Sequence, residues 1–433
     1  MRARHLPVLA ALMLPVSVRA QDTTRTESGV RVGITYTPGV RPSLAVLAAP
    51  GADSVRAVLE RDLDQSDRFE MAPRSGVPAS ADARTLTALG VSYGVLVAGA
   101  AARVEVTVLD SRTGAEVLKR AVDPGTRLAL HQAADEIVRA ITGQPGVAST
   151  QLLFVLNGRI ARVDADGQDF TRLRSAGWPS LSPAWSPDRR TMAYTAFVRS
   201  GQPIVLQDLA SGTREVVPFT EDGLNITPSY SPDGRSLAFA HGTEDGMDVY
   251  IYHLPGSPVA AGERREARGE RPIRLTNGRF SDNLSPTWSP DGSRIAFISN
   301  RAQTPQLYVM GSDGTGQEVL ARFDYGATGM TSAPEWSPDG RLIAFHRDVG
   351  GVPQLFVVDV DDRGVRQLTG SGRNEDPTWA PDSRHLAFVS SRTGARELWV
   401  LDLETGRLRQ LTSVGGARLP AWSPRRTTNE GRP

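Results

Sequence analysis

A short motif recurs six times between residues 185 and 424, as an aromatic residue followed by Ser-Pro-Asp-Gly or a near copy of it. The copies lie 43 to 58 residues apart. Repeats of this length are typical of β-propeller blades, each of which needs its neighbours to bury its apolar face. The aromatic residues of the six copies are Trp185, Tyr230, Trp288, Trp336, Trp379 and Trp422.

The unit that begins at Trp336 shows the content of one repeat most clearly. Its Pro and Gly suit a tight turn, because Pro presets φ and Gly accepts a positive φ. Three short strand-like stretches follow, at Leu342–Phe345, Gln354–Asp359 and Val365–Thr369. Together with the motif strand they make the four antiparallel strands of a blade. We expect the motif aromatic residue to pack between neighbouring blades.

The two ends of the repeat region complement each other. Strand-like stretches at 152–156, 159–163 and 171–173 precede the first motif but have no motif strand of their own, and the last motif, Leu419–Pro424, has no strands behind it. One shared blade would complete both ends and leave no open sheet edge. The sequence therefore predicts a six-bladed propeller over residues 151–424, with a protruding insertion at Pro255–Pro272 and a disordered tail at 425–433.

The first twenty residues have the pattern of a secretory signal peptide. Arg2 and Arg4 precede an apolar run, Leu6–Val18, that is too short to span a bilayer. Small residues at Val18 and Ala20 suit a signal peptidase, so we expect residues 1–20 to be cleaved off and the protein to reach the periplasm. No other long apolar stretch follows, and direct membrane insertion is not expected.

Residues 21–42 are polar and predict a flexible arm, and residues 43–146 show a mixed α/β pattern. The predicted fold is thus a multidomain one, with a small α/β N-terminal domain followed by a six-bladed all-β propeller. The expected elements of the α/β domain are strands at Ser43–Ala49, Tyr93–Gly99, Ala102–Leu109 and Ala115–Val122 and helices at Ala52–Phe69 and Thr126–Thr142.

Motifs for catalysis or metal binding are weak. The segment around Ser92 matches a Gly-x-Ser-x-Gly elbow, but a helix-like stretch precedes it and a strand follows, the reverse of what a hydrolase needs. Asp164 and Asp166 resemble the start of a calcium loop that lacks its bidentate Glu. The chain has no Cys, and its six His show no metal-ligand spacing. We expect no catalytic residue, no metal and no cofactor.

Charge offers no net attraction for nucleic acid. The formal charge is +1, and loss of Arg2, Arg4 and Arg19 with the signal peptide makes it slightly negative. We therefore expect protein partners, no nucleic acid, and a monomer.

The signal peptide, the small α/β domain and the six-fold repeat together resemble the TolB family of the Tol-Pal system. The N-terminal segments 41–47, 89–99 and 135–143 carry the resemblance besides the repeat. It implies a non-enzymatic periplasmic protein whose propeller docks the peptidoglycan-associated lipoprotein Pal over its channel mouth. It also implies an N-terminal arm that engages TolA, and roles in outer-membrane integrity and cell division; other envelope proteins could also be partners.

Two sets of partner-binding residues are predicted. Side chains of different character alternate along the arm, which suits binding by addition of a β-strand to a partner's sheet. The arm set is Val30, Arg31, Val32, Ile34 and Tyr36. Three blades carry Asn-x-x-Pro just before the motif strand, and equivalent positions converge at one end of a propeller channel. The mouth set is Asn225, Thr227, Asn283, Ser285, Asn374 and Asp376.

Some alternatives stay open at this point. Each Asn could instead make only a side-chain turn before Pro. The whole chain could also be a secreted propeller that binds glycan or peptidoglycan, or a propeller-associated hydrolase or lyase. The last alternative would need a hydrolase domain or a His-rich metal cluster, and the sequence shows neither.

Overall fold

The computed structural model describes residues 41–72, 82–100, 103–174, 177–243, 245–255, 271–321 and 329–425. The predicted signal peptide, all but the last two residues of the predicted arm, most of the insertion and most of the tail lie outside these ranges. Among the described residues, no helix has both the length and the apolar character needed to cross a membrane.

A five-stranded sheet with three helices forms the α/β unit. The order of its strands is β2-β1-β3-β4-β5, with β1 parallel to β2 and β3 and the other pairs antiparallel. The strands are β1 (Ser43–Ala48), β2 (Glu70–Met71), β3 (Tyr93–Ala100), β4 (Arg103–Asp110) and β5 (Glu116–Val122), and the helices are α1 (Asp53–Gln65), α2 (Ala83–Ala88) and α3 (Arg127–Thr142).

Alternation along the strands gives this sheet two apolar faces. Leu44 and Val46 of β1 join the core that α1 and α3 cover, whereas Ala45 and Leu47 join a smaller core with Leu86 of α2. The sheet is therefore buried on both sides, which explains why its first strand is almost continuously apolar.

The first helix is shorter than the sequence predicts. The helix was expected to reach Phe69, but α1 ends at Gln65. Ser66 closes it by donating its hydroxyl to the Leu63 carbonyl, and Asp67 adopts a left-handed conformation with φ of 54°. Asp67 is also held by the propeller, as described below, so a tertiary contact fixes this end.

The remaining strands form six four-stranded blades, one of which gains a short fifth strand. The strands that precede the first motif are β6 (Gln151–Leu156), β7 (Arg159–Asp164) and β8 (Thr171–Arg172). Blade 1 contains β9 (Ser180–Trp185), β10 (Thr191–Ala196), β12 (Ile204–Asp208) and β13 (Arg214–Val216). Blade 2 contains β14 (Gly223–Tyr230), β15 (Ser236–Thr243), β16 (Gly246–His253) and β17 (Ile273–Arg274), with β11 (Gly201–Gln202) added beside β14.

Blades 3 to 5 repeat the same arrangement. Blade 3 contains β18 (Asn283–Trp288), β19 (Arg294–Ser299), β20 (Gln306–Gly311) and β21 (Glu318–Ala321). Blade 4 contains β22 (Thr331–Trp336), β23 (Leu342–Val349), β24 (Val352–Asp359) and β25 (Val365–Gln367). Blade 5 contains β26 (Asn374–Trp379), β27 (His385–Thr393), β28 (Ala395–Asp402) and β29 (Leu408–Gln410).

The ring closes through a shared blade, as the sequence predicts. The last strand, β30 (Ala417–Trp422), pairs antiparallel with β6, and the order β30-β6-β7-β8 makes blade 6. The indole of Trp422 donates to the Thr150 hydroxyl at 2.7 Å, and the Ser423 N–H donates to the Gln151 carbonyl at 2.8 Å. The two ends of the propeller are thus joined by main-chain and side-chain hydrogen bonds.

The motif tryptophans link neighbouring blades. The indole of Trp379 donates to the Glu335 carbonyl of blade 4 at 3.0 Å, and that of Trp288 donates to the Ser229 carbonyl of blade 2 at 3.2 Å. Each ring also fills the apolar layer between two sheets; Trp422 packs with Ala387 and Val400 of blade 5. The structural interpretation of the motif aromatic residues is confirmed.

Ion pairs join the α/β unit to blades 5 and 6. Arg407 binds both Asp64 and Asp67, with N–O distances of 2.8 and 3.0 Å. On the blade 6 side, Asp166 accepts from Arg61 and Arg127 at 3.1 and 2.5 Å. Turns of the propeller supply all the propeller residues in these pairs, so the α/β unit sits on the end of the ring formed by the Ser-Pro-Asp-Gly turns.

One buried histidine lies at the centre of this contact. The Nδ1 of His385 is 2.7 Å from Asp382, and its Nε2 is 3.2 Å from Asp67 of the α/β unit. Burial alone would lower the pKa of His385, but Asp382 and Asp67, with the charge of Asp402 nearby, raise it to about 9. The imidazolium therefore bridges the two units at neutral pH.

Because of this bridge, we expect the unfolding free energy to fall as the pH becomes alkaline. The folded pKa of His385 lies above its unfolded value, so its contribution is complete below about pH 6.5 and is lost as pH rises through about 9. We expect the wild type to lose about 3 kcal/mol more of its unfolding free energy between pH 6 and pH 10 than His385→Gln loses. Urea unfolding at several pH values measures this difference.

A control for this measurement is His253→Gln, because His253 lies in blade 2 and bonds to Ser236 of the same blade. Its pH profile should parallel that of the wild type. Parallel profiles for the wild type and His385→Gln would contradict the assigned bridge.

Candidate functional site at the mouth of the propeller channel

The inner strands of the six blades enclose a cavity of about 320 Å³ on the axis of the ring. Among the described residues that line it, Glu335 and Asp376 carry the ionisable carboxyl groups and none is Lys or Arg. Six residues, one from each inner strand, occupy equivalent positions in its wall: Ser182, Thr227, Ser285, Ala333, Asp376 and Leu419.

These six residues share an unusual backbone conformation. Each directly precedes the Pro that stands two residues before the motif aromatic residue, and each has φ between 49° and 53°. A left-handed residue other than Gly costs on the order of 1 kcal/mol, and it persists only where the surroundings fix it. The same strain at six equivalent positions indicates a common cause in the blade.

That cause is a β-bulge opposite a buried aromatic ring. In blade 2, Thr227 and Pro228 together face the single residue Phe239, because Ile226 pairs with Ala240 and Ser229 with Ala238. Two residues against one make a bulge, and the inner strand bends there. The aromatic residues opposite the six bulges, all at most 1% exposed, are Phe154, Tyr194, Phe239, Phe297, Phe345 and Phe388.

Glu335 is the residue before the motif Trp in blade 4, where the other blades have Ala, Ser or Thr. Its carboxylate accepts from the Thr378 hydroxyl and from the Trp379 N–H, both at 3.1 Å. Burial raises the pKa of Glu335 to about 7, although these hydrogen bonds lower it. Glu335 thus ties blade 4 to blade 5 and places a titratable group in the channel near neutral pH.

Asp376 sits in the ring of left-handed residues beside a histidine. Its N–H donates to Nδ1 of His346 at 3.1 Å, and its carboxylate accepts from the Leu419 N–H of blade 6 at 3.3 Å. Burial raises the pKa of Asp376 as well. Hydrogen bonds therefore connect blade 5 to blades 4 and 6 at the mouth.

The structure divides the predicted mouth residues into two groups. Thr227, Ser285 and Asp376 line the cavity. Asn225, Asn283 and Asn374 do not: all three are 0% exposed. The expectation that the asparagines line the mouth is corrected here, whereas partner binding by the other three stays a prediction.

The asparagines connect the loop before each inner strand to the blade interior. Asn283 shows the arrangement: its amide donates to the Met247 carbonyl and to Asp248 of blade 2 at 3.3 and 3.0 Å, and its oxygen accepts from Arg301 at 2.7 Å. Asn283 is fully buried with partners on both amide atoms, so its side chain has a structural role and does not line the cavity. Its partners are Met247, Asp248 and Arg301, and none of these bonds makes a turn before the Pro.

Exposed apolar side chains surround the entrance beyond this ring. Each lies one to four residues before an inner strand, and the inner strands all enter from the same end of the ring. Phe280 is 88% exposed and Met330 is 56% exposed. A group of large exposed apolar residues marks an interaction surface. The set, here called the apolar rim, is Trp178, Phe219, Phe280, Met330 and Val414.

Sequence reasoning missed both Glu335 and the apolar rim. Glu335 could have been found as the one charged residue at its position in the aligned motifs. The rim residues lie at varying distances from the motif, so alignment does not bring them together. The arm residues Val30, Arg31, Val32, Ile34 and Tyr36 lie outside the described residues.

The weak catalytic and calcium motifs have structural roles. Ser92 opens β3 after α2, the helix-then-strand order expected, and its hydroxyl lies 3.2 Å from that of Ser43. The aspartates of the calcium-like turn face guanidinium groups, because Asp166 binds Arg61 and Arg127.

Comparison with known proteins identifies the family. The PD40 family, described as the TolB beta propeller domain, matches residues 138–324 and 315–428. The chain belongs to the TolB family. The crystal structure of TolB from Acinetobacter baumannii is similar to this chain with a TM-score of 0.76 and 26% identity, over 91% of this chain and 99% of that one. The predicted family and fold class are confirmed.

Curated relatives are similar over a shorter length. The Tol-Pal system protein TolB of Xanthomonas campestris pv. campestris is 33% identical over 239 residues, which cover 49% of this chain and 54% of the relative. The TolB of Xanthomonas oryzae pv. oryzae is 31% identical over 243 residues, with the same shares. The chain spans about half the length of the curated relatives it matches. They are named as Tol-Pal system proteins.

Substitution of a buried asparagine should lower the unfolding free energy more than substitution of a cavity residue. Asn283→Ala removes the donors to Met247 and Asp248, both buried in blade 2, so we expect the unfolding free energy to fall by about 1–3 kcal/mol. Ser285→Ala, two residues along the same strand, should change it by less than about 0.5 kcal/mol. Urea unfolding of the two variants tests this, and equal losses would contradict a structural role specific to Asn283.

Proposed function

We propose that this protein is a periplasmic component of the Tol-Pal system whose propeller mouth docks the peptidoglycan-associated lipoprotein Pal. Family membership and the names of the relatives support a place in that system. The apolar rim carries the proposal for the mouth, because an exposed ring of large apolar side chains around a concave centre is a surface suited to a protein partner.

The mouth combines two kinds of contact. The apolar rim would bury Phe280 and Met330 against the partner, and large apolar anchors of this kind dominate interface energies. Inside the rim, Thr227, Ser285 and Asp376 offer hydroxyl and carboxylate groups. A cavity that holds carboxyl groups but no Lys or Arg favours partner segments that bring donors or positive charge.

The predicted N-terminal arm has a separate role in this proposal. Its alternating stretch, with Val30, Arg31, Val32, Ile34 and Tyr36, would engage TolA by adding a strand to a sheet edge. The two contacts would link the outer and inner membranes of the envelope and so support outer-membrane integrity and cell division. Cleavage after Ala20 would release the arm in the periplasm.

Substitution in the apolar rim tests the mouth. We expect the double variant Phe280→Ser, Met330→Ser to bind purified Pal at least tenfold more weakly, because truncating central apolar anchors costs more than about 1.4 kcal/mol. Calorimetric titration measures the affinity. The control is Val365→Ser, Leu408→Ser, which alters two apolar residues, each 38% exposed, on the outer strands β25 and β29.

The control variant should bind as the wild type does. Unchanged binding by the rim variant would contradict docking at the mouth. Recovery of peptidoglycan alone from envelope extract, without the lipoprotein, would favour the glycan-binding alternative.

Deletion of residues 22–36 tests the arm. We expect the shortened protein to lose binding to TolA while its affinity for Pal changes less than twofold, because the two contacts use different parts of the chain. Pull-down with each purified partner measures both. Retained TolA binding would contradict the role of the arm.

A further inference from the structure

A groove of about 720 Å³ opens between blades 2 and 3, at the end of the ring opposite the mouth. Its floor is apolar, and Ile251, Ile273 and Leu275 of blade 2 face Trp288 of blade 3 across it. The Ser-Pro-Asp-Gly turns of both blades form its sides. A volume of this size lies within the range of sites that hold a peptide side-chain cluster or a small ligand.

Blade 2 differs from blade 4 in the length of chain between its third and fourth strands. In blade 4 that connection is short, from Asp359 to Val365. In blade 2, β16 ends at His253 and β17 begins at Ile273. Ile273, which lines the groove, is 42% exposed.

Among the described residues, three carboxylates and no Lys or Arg line the groove, and the carboxylates are those of Asp233, Asp291 and Asp313. Each holds its charge because nearby hydroxyl and N–H groups donate to it. Hydrogen bonds from Ser289 and Ser293 lower the pKa of Asp291 to about 2, and those from Thr315 lower the pKa of Asp313. The groove thus presents an apolar floor inside a fixed negative rim.

We propose that this groove binds an extended peptide segment of another protein in which basic and apolar side chains alternate. Apolar side chains of such a segment would cover Ile273, which is 42% exposed, and its Lys or Arg side chains would reach the three carboxylates. The site would be separate from the mouth, because it is built from turns at the other end of the ring. The proposal does not depend on which partner the mouth binds.

Fluorescence anisotropy with labelled octapeptides tests the groove on the full chain. The probe alternates leucine and arginine; one comparison peptide alternates leucine and glutamate, and another alternates serine and arginine. We expect the leucine–arginine peptide to bind at least tenfold more tightly than either comparison peptide, since each lacks one of the two contacts.

Variants distinguish binding in this groove from nonspecific electrostatic binding elsewhere on the protein. Asp291→Asn, Asp313→Asn should weaken binding about tenfold, and Ile273→Ser should weaken it several-fold. Asn keeps an oxygen that can accept the turn hydrogen bonds. The matched control is Asp339→Asn, Asp362→Asn, which changes equivalent turn residues of blade 4 that do not line the groove.

The proposal fails if the control variant loses as much affinity as the groove variant, or if the leucine–glutamate peptide binds equally well. Binding that occurs only after residues 257–270 are deleted would mean that the chain's own insertion fills the groove. That result would also overturn the proposal of an external partner.

Discussion

The bulge opposite a buried aromatic ring is the constraint on which the mouth depends. Without the bulge, an inner strand in regular register with Phe239 or Phe345 would keep its side chains alternating between the two faces of the sheet. The extra residue of the bulge bends the strand and turns its left-handed residue into the wall of the channel. The Pro that follows has no N–H, so the bulge leaves one donor fewer to satisfy.

This arrangement separates what is fixed in each blade from what can vary. The Pro, the left-handed φ and the aromatic ring recur in all six blades. The residue before Pro is free in identity, and it is Ser, Thr, Ser, Ala, Asp and Leu around the ring. A regular scaffold thus presents six different side chains in one circle, which gives the chain a way to make a specific surface from a repeated fold.

The sequence was sufficient for the architecture because the period of the motif and the incomplete units at the two ends define six blades. It was not sufficient for the site. The asparagines before the motifs have a spacing that suits either a surface or a turn, and only burial distinguishes the two. The end of α1 depends on Asp67, whose partners His385 and Arg407 lie more than 300 residues away. No local pattern encodes such a contact.

Ion pairs hold the α/β unit on the propeller, and they fix its orientation more than they strengthen its attachment. The attraction within a buried ion pair little more than offsets the free energy of desolvating its two charges. Removing one partner, however, leaves the other charge buried and unpaired. Asp67 accepts from Arg384 and Arg407 and faces His385, so few positions of the α/β unit satisfy all three. Blade 5, which provides these three residues, also carries Asp376 at the mouth. We infer that the contact fixes how the unit sits over blades 5 and 6, whereas the groove at the same end of the ring is built from blades 2 and 3.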